Sequence, residues 1–189
     1  MFVKANWLLR AFAVCGLAVI LSGCATGART GAMTVPVGGD LIVPDNSPLH
    51  NAFRVGTVDG GSDTNPLWKS NVSDENFRQA LEQSLSLQAM IAPERGRYTV
   101  NAKLIELDQP IIGFDMTVTA KVRYTVMMGD APGAKFDETI ETPYTANFSD
   151  AFLGVERLRL ANEGAIQANI KAFIEKLVAA SQPGQALSA

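Results

Sequence analysis

Residues 114–128 read Phe-Asp-Met-Thr-Val-Thr-Ala-Lys-Val-Arg-Tyr-Thr-Val-Met-Met. Phe114, Met116, Val118, Ala120, Val122, Tyr124, Val126 and Met128 take every second position, and Asp115, Thr117, Thr119, Lys121, Arg123 and Thr125 fill the gaps. Side chains of a strand point alternately to its two faces, so this stretch predicts a long strand with one dry and one wet face. Its neighbours continue the pattern. Tyr98, Val100, Ala102 and Leu104 alternate with Thr99, Asn101 and Lys103, and the phase then slips at Ile105 and Leu107, as a bulge makes it do. Turns are expected at Pro110 to Gly113 and at Gly129 to Gly133. Beyond the second, Phe136, Ile140, Tyr144, Ala146 and Phe148 carry a third strand, in which Pro143 marks an edge or a bulge.

Working outward, Asn51 to Val58 alternates as a first strand that Gly60-Gly61 breaks. Ser73 is placed to cap a helix whose first turn holds Asp74 and Glu75 and whose apolar arc runs through Phe77, Leu81, Leu85 and Ile91, with Pro93 and Gly96 ending it. The longest helical pattern closes the chain. Leu158, Ala161, Ala165, Ile166, Ile170, Phe173 and Leu177 recur at steps of three and four. A sheet that is apolar on one side needs a cover. The expectation is an α+β two-layer sandwich: a mainly antiparallel four-stranded sheet covered by two helices, in the order β-α-β-β-β-α.

The N-terminus has a different character. Lys4 and Arg10 precede an apolar run from Ala11 to Leu21, the charged-then-apolar layout of an export signal. That run is about half of the roughly 20 residues that a membrane-spanning helix needs. Leu21-Ser22-Gly23-Cys24 follows it directly and resembles the lipobox of bacterial lipoproteins. The resemblance implies cleavage before Cys24 and attachment of three palmitate-type acyl chains to that residue. At about 0.8 kcal/mol per buried methylene, such chains anchor a protein durably. Ala25, rather than an aspartate, follows the cysteine, which by the same resemblance favours the outer membrane and its periplasmic face.

Removing residues 1–23 leaves 166 of the 189 residues, enough for one domain. Lys4 and Arg10 leave with that segment, taking 16 basic residues to 14 against 19 acidic ones, a net charge of −5. This balance offers no basic face, so nucleic acid is not an expected partner. Cys15 also leaves, so no disulfide is expected in the mature domain. Residues 24–50, rich in Gly, Thr, Pro and Ala, read as a flexible tether spanning roughly 25–30 Å, with one short extended stretch at Leu41 to Val43. Residues 51–182 then form the α+β domain and 183–189 a disordered tail.

The side chains offer little catalytic chemistry. His50 is the only histidine and has no serine or cysteine nucleophile motif to serve. One histidine and no free thiol leave only carboxylates for a metal, and these fall where caps, turns and the wet strand face need them. Gly60-Gly61 lacks the lysine and spacing of a phosphate loop. No catalytic residue, metal or cofactor is expected. The candidate partner surface consists of Trp68, in the loop before the first helix, with Lys121 and Arg123 on the wet face.

The lipobox, the Gly/Pro-rich segment, the element order, and the pattern Asp150-Ala151-Phe152-Leu153-Gly154 with Arg157, Ala161, Glu163, Ala165 and Asn169-Ile170 together resemble small Gram-negative envelope lipoproteins. That group includes the lipopolysaccharide-assembly lipoprotein and uncharacterised outer-membrane lipoproteins of the same layout. The resemblance implies a non-enzymatic accessory or scaffold whose partners are the membrane, through its lipid, and another envelope protein. The alternative is a periplasmic carrier that holds a lipid or glycolipid between helices and sheet.

Overall fold

A computed structural model describes residues 26–38, 41–63, 71–129 and 133–181. At its centre lies β3 (Met116–Met128), paired antiparallel with β2 (Tyr98–Asp108) on one side and β4 (Ala134–Ala146) on the other. Met116, Val118, Ala120, Val122, Tyr124 and Val126 are buried, while Thr117 and Arg123 face solvent. The expected slip in β2 is present, since the register shifts between Leu104 and Glu106 and leaves Ile105 half exposed. Pro143 stands opposite Thr119 with no shift there, and the strand order β1-β2-β3-β4 puts it on an edge strand, where a missing N–H is tolerated.

β1 (Phe53–Asp59) pairs parallel to β2, so the sheet is mixed. Its return connection is α2 (Asp74–Leu87), which makes β1-α2-β2 a crossover unit. Alternation within one strand is blind to the direction of its neighbour, which is why the sequence does not announce this pairing. Ser73 caps α2 as expected, its Oγ accepting from the Asn76 N–H at 3.2 Å. The helix ends earlier than Pro93 and Gly96 suggest. Ala89 takes a left-handed φ of 60°, and the Met90 N–H reaches back to the Leu85 carbonyl, a closure that satisfies the last carbonyls before either residue is met.

α3 (Gly154–Ala180) lies across β3 and β4. Ala161 and Ala165 are fully buried, letting its backbone approach the sheet, and Phe173 stacks on Tyr124 at 4.1 Å. Asn169 donates to the Ala120 and Ile140 carbonyls of the two strands beneath it.

The stretch read as a tether is instead largely packed. Of residues 24–50, those described form a strap that includes the single helical turn α1 (Thr30–Met33) and buries Ala28, Met33, Val35, Val43 and Leu49 in the core. Leu41 to Val43 is not extended strand. The strap is held through its main chain: Val35 N–H donates to Ser84 Oγ, Gln88 Nε2 to the Pro36 carbonyl, and Gln167 Nε2 to the carbonyls of Ala32 and Thr34. The folded unit thus begins near Ala28 rather than at residue 51. The cover is two helices plus a strap wedged between them.

Candidate functional site

Two loops meet at the end of the sandwich where β2 passes to β3 and β4 passes to α3. Residues 109–115 form one and residues 147–153 the other, and a small set of polar contacts fixes both. Asp115 Oδ1 accepts from the Phe148 N–H at 2.9 Å, tying loop to loop. Asp150 Oδ2 accepts from the Asn147 N–H at 2.8 Å. Arg157, buried at the start of α3, donates from Nη1 to the carbonyls of Ala151 (2.7 Å) and Phe152 (2.8 Å) and from Nη2 to that of Gly113 (3.3 Å). A buried guanidinium needs such partners, and in taking them it freezes the loops that supply them.

What these loops display is apolar. Ile111 is 97% exposed, Ile112 89%, Phe114 83% and Phe152 82%, with Leu153 and Phe148 about half exposed. Phe148 lies between Phe114 and Phe152, its ring centroid 6.1 and 6.0 Å from theirs with edge-on geometry, and the Arg157 guanidinium sits 5.0 Å from it on the inner side. Scattered exposed apolar residues are ordinary, but here six fall on two loops that hydrogen bonds tie together, and three of them, Phe114, Phe148 and Phe152, touch in a row.

Leu21, Ser22, Gly23 and Cys24 lie outside the described residues, and so does Trp68. Lys121 and Arg123 stand side by side on the open face of the sheet, each matched by an acid on β4. Lys121 Nζ is 3.4 Å from Glu141, and Arg123 makes a two-point contact with Asp137 at 2.7 Å for both bonds. The hydrogen bond from Arg123 holds the Asp137 carboxyl below its ordinary range, and the same bond raises Arg123. Both cations are therefore already paired, and the open face presents a cross-strand ladder rather than a free cationic patch. His50 lies 3.3 Å from Asp45. Among the described residues no three His, Cys, Asp or Glu side chains converge on a common point, and no helix is long and apolar enough to cross a membrane.

A groove of about 750 Å³ runs between the strap and the outer side of α3, lined by Val35, Pro36, Leu41, Tyr144, Gln167 and Val178 among others. Lys171 and Glu175, paired at 3.6 Å, also line it.

The apolar tip was not visible as a site in the sequence. Phe114 and Phe148 fall on the same alternation as the buried Met116 and Ala146 and so read as inward-facing strand residues, yet both lie beyond the strand ends. The available signal was Ile111-Ile112 inside a Pro/Gly turn, two large apolar residues where polar ones are usual.

No family model matches the chain, and no curated protein matches its sequence. Solved structures do match its fold. A Xanthomonas campestris protein of the DUF330 family superposes with a TM-score of 0.53 at 9% identity, over 72% of this chain and 89% of that one. A Caulobacter crescentus protein provisionally assigned as a lipoprotein gives 0.47 at 9% identity, over 70% and 93%. A Chlamydia trachomatis protein of unassigned function gives 0.48 at 10% identity, over 69% and 99%. The first of these shows a shared α+β sandwich and nothing about activity. The other two superpositions are too loose to carry an inference.

Proposed function

We propose that the protein is a lipid-anchored, non-enzymatic accessory or scaffold domain on the periplasmic face of a Gram-negative outer membrane. The observation that carries this reading is the order apolar run, then Leu21-Ser22-Gly23-Cys24, with a domain-sized chain after it. The mechanism is tethering. A lipid on Cys24 confines the domain to a surface, so that an envelope partner meets it at a high effective concentration without strong contacts. Support of the lipopolysaccharide translocon is the more specific form of this reading, and it rests on the layout of the chain alone.

The test is fractionation of cells expressing the Cys24→Ala variant. The variant should be released from the membrane fraction by salt and carbonate washing, which an acyl anchor resists, while keeping the thermal midpoint of the mature domain. Retention of Cys24→Ala on membranes after salt and carbonate washing would contradict anchoring through that residue.

The groove between the strap and α3 favours a second reading, a carrier for a lipid or glycolipid acyl chain. Organic extraction of the purified protein separates the two. A carrier releases lipid in stoichiometric amount beyond that bound covalently, and a scaffold releases none.

A further inference from the structure

We infer that the apolar tip of Ile111, Ile112, Phe114, Phe148, Phe152 and Leu153 is a second membrane contact, dipping into the bilayer that receives the lipid of Cys24 and fixing the orientation of the domain. The inference rests on the proposed lipidation and adds to it a docked geometry where a tether alone leaves the domain free to tumble.

The end of β2, the start of β3, the end of β4, the start of α3 and the two tip loops lie at one end of the sandwich, and β1 ends toward it, opposite Lys103. The strap starts there too. Its Ala28 N–H bonds the Asn71 carbonyl just before α2, and Arg29 lines the same small cavity as Asp150 of the tip loop. From there the strap runs toward the opposite end, where Arg97 reaches the Pro48 carbonyl. Cys24 is four residues before Ala28, a span of at most about 14 Å even when fully extended. The opposite end is farther off, since Arg29 is bound to Glu163, nine residues or about 14 Å from the start of α3 and 17 residues or about 25 Å from its end. A lipid on Cys24 can therefore enter a bilayer lying against the tip and not one lying against the Ala92–Arg95 end.

The chemistry of the tip suits that neighbour. Exposed isoleucine and phenylalanine side chains favour the boundary between headgroups and acyl chains. Asp115 and Asp150 are occupied by main-chain N–H groups of the same loops, Arg157 is buried behind Phe148, and Arg29 is paired with Glu163, so residues 109–115 and 147–153 present no lysine or arginine toward a phosphate. The contact is apolar, and it should need no anionic lipid.

The mature chain carries no thiol besides Cys24, so a single introduced cysteine takes one fluorophore once Cys24 is acylated. The full chain, purified from membranes and checked for acylation by intact mass, is reconstituted into phosphatidylcholine vesicles with an environment-sensitive probe at Ile112→Cys, Phe152→Cys or, as reference, Glu94→Cys. Probes at 112 and 152 should be quenched several-fold more by brominated lipid than the probe at 94, and several-fold less by aqueous iodide. Equal iodide quenching at all three positions overturns the inference. Protection from both quenchers, which means that protein covers the tip, overturns it as well. An unacylated mature chain would instead refute the Cys24 reading. In that event the Cys24→Ser chain tests the tip alone, and its flotation with the same vesicles should fall at least tenfold when Ile112→Ser and Phe152→Ser are added. An unchanged flotation would sink the inference by itself.

Discussion

Glu163 and Arg29 are 134 residues apart in the chain, and the Glu163 carboxylate accepts both the main-chain N–H of Arg29, at 2.9 Å, and its Nε, at 3.0 Å. The same carboxylate takes Arg159 Nη1 at 2.7 Å, with the side chains of Glu163 and Arg159 only 3% and 6% exposed. Glu156 completes the group. Its hydrogen bond from Arg159 holds its carboxyl below the ordinary range. One buried acid thus joins the start of the strap to α3, close to the point from which the chain leaves the domain toward Cys24.

Removing one member of a buried pair strands the others, at roughly 3–5 kcal/mol. Glu163→Ala should therefore lower stability by about 3 kcal/mol in denaturant unfolding and expose the strap to limited proteolysis near Arg29. An unchanged midpoint together with an uncut strap would show that the apolar anchors Met33 and Val35 suffice by themselves.

Gly164, in the middle of α3, is a position where helix propensity and packing predict opposite signs. Propensity alone favours alanine by up to about 1 kcal/mol. A Cβ there would lie 2.3–2.5 Å from three ring atoms of Tyr144, so β4 or the ring must move. Gly164→Ala should destabilise by about 1–3 kcal/mol, the usual range for overpacking. A rise in the thermal midpoint would mean that the Tyr144 ring swings aside freely.

Tyr124 is wholly buried between β3 and α3, and its hydroxyl has no hydrogen-bond partner among the described residues. Tyr124→Phe removes an unsatisfied polar atom and keeps the stack on Phe173, so stability at neutral pH should stay level or rise. Burial also pushes the Tyr124 hydroxyl well above its ordinary pKa of 10.0. With the folded value raised, the unfolded chain releases the proton first. The stabilisation is present below about pH 10 and is lost as pH climbs through the window above it. Relative to Tyr124→Phe, the natural chain should lose about 1.4 kcal/mol per pH unit there. Parallel stability curves for the two proteins from pH 9 to 11.5 would show that the hydroxyl is hydrated.

The sheet was legible because burial on one face leaves a period of two, which runs unbroken from Met116 to Val126 and slips at Ile105 where the register does. Ser73 was legible because a cap is a local device. The strap was not, since it is held by carbonyls of Ala32, Thr34 and Pro36, and main-chain acceptors leave no signature in residue type. Its apolar residues meet α2 and α3 in an irregular path, so no period connects Ala28, Met33, Val35 and Val43. Lys121 and Arg123 were placed on the correct face, but their pairing with Glu141 and Asp137 depends on the β3–β4 register, which alternation does not supply. The tip was hidden because alternation carries no mark of where a strand stops.

The central claim is that one sulfur atom makes this sandwich a resident of the envelope. Intact-mass and N-terminal fragment analysis of the mature protein, isolated from membranes in detergent, tests it most directly. The account predicts a chain that starts at Cys24 and carries the added mass of three acyl chains. A free thiol at Cys24, or a mature terminus at any other residue, would contradict it.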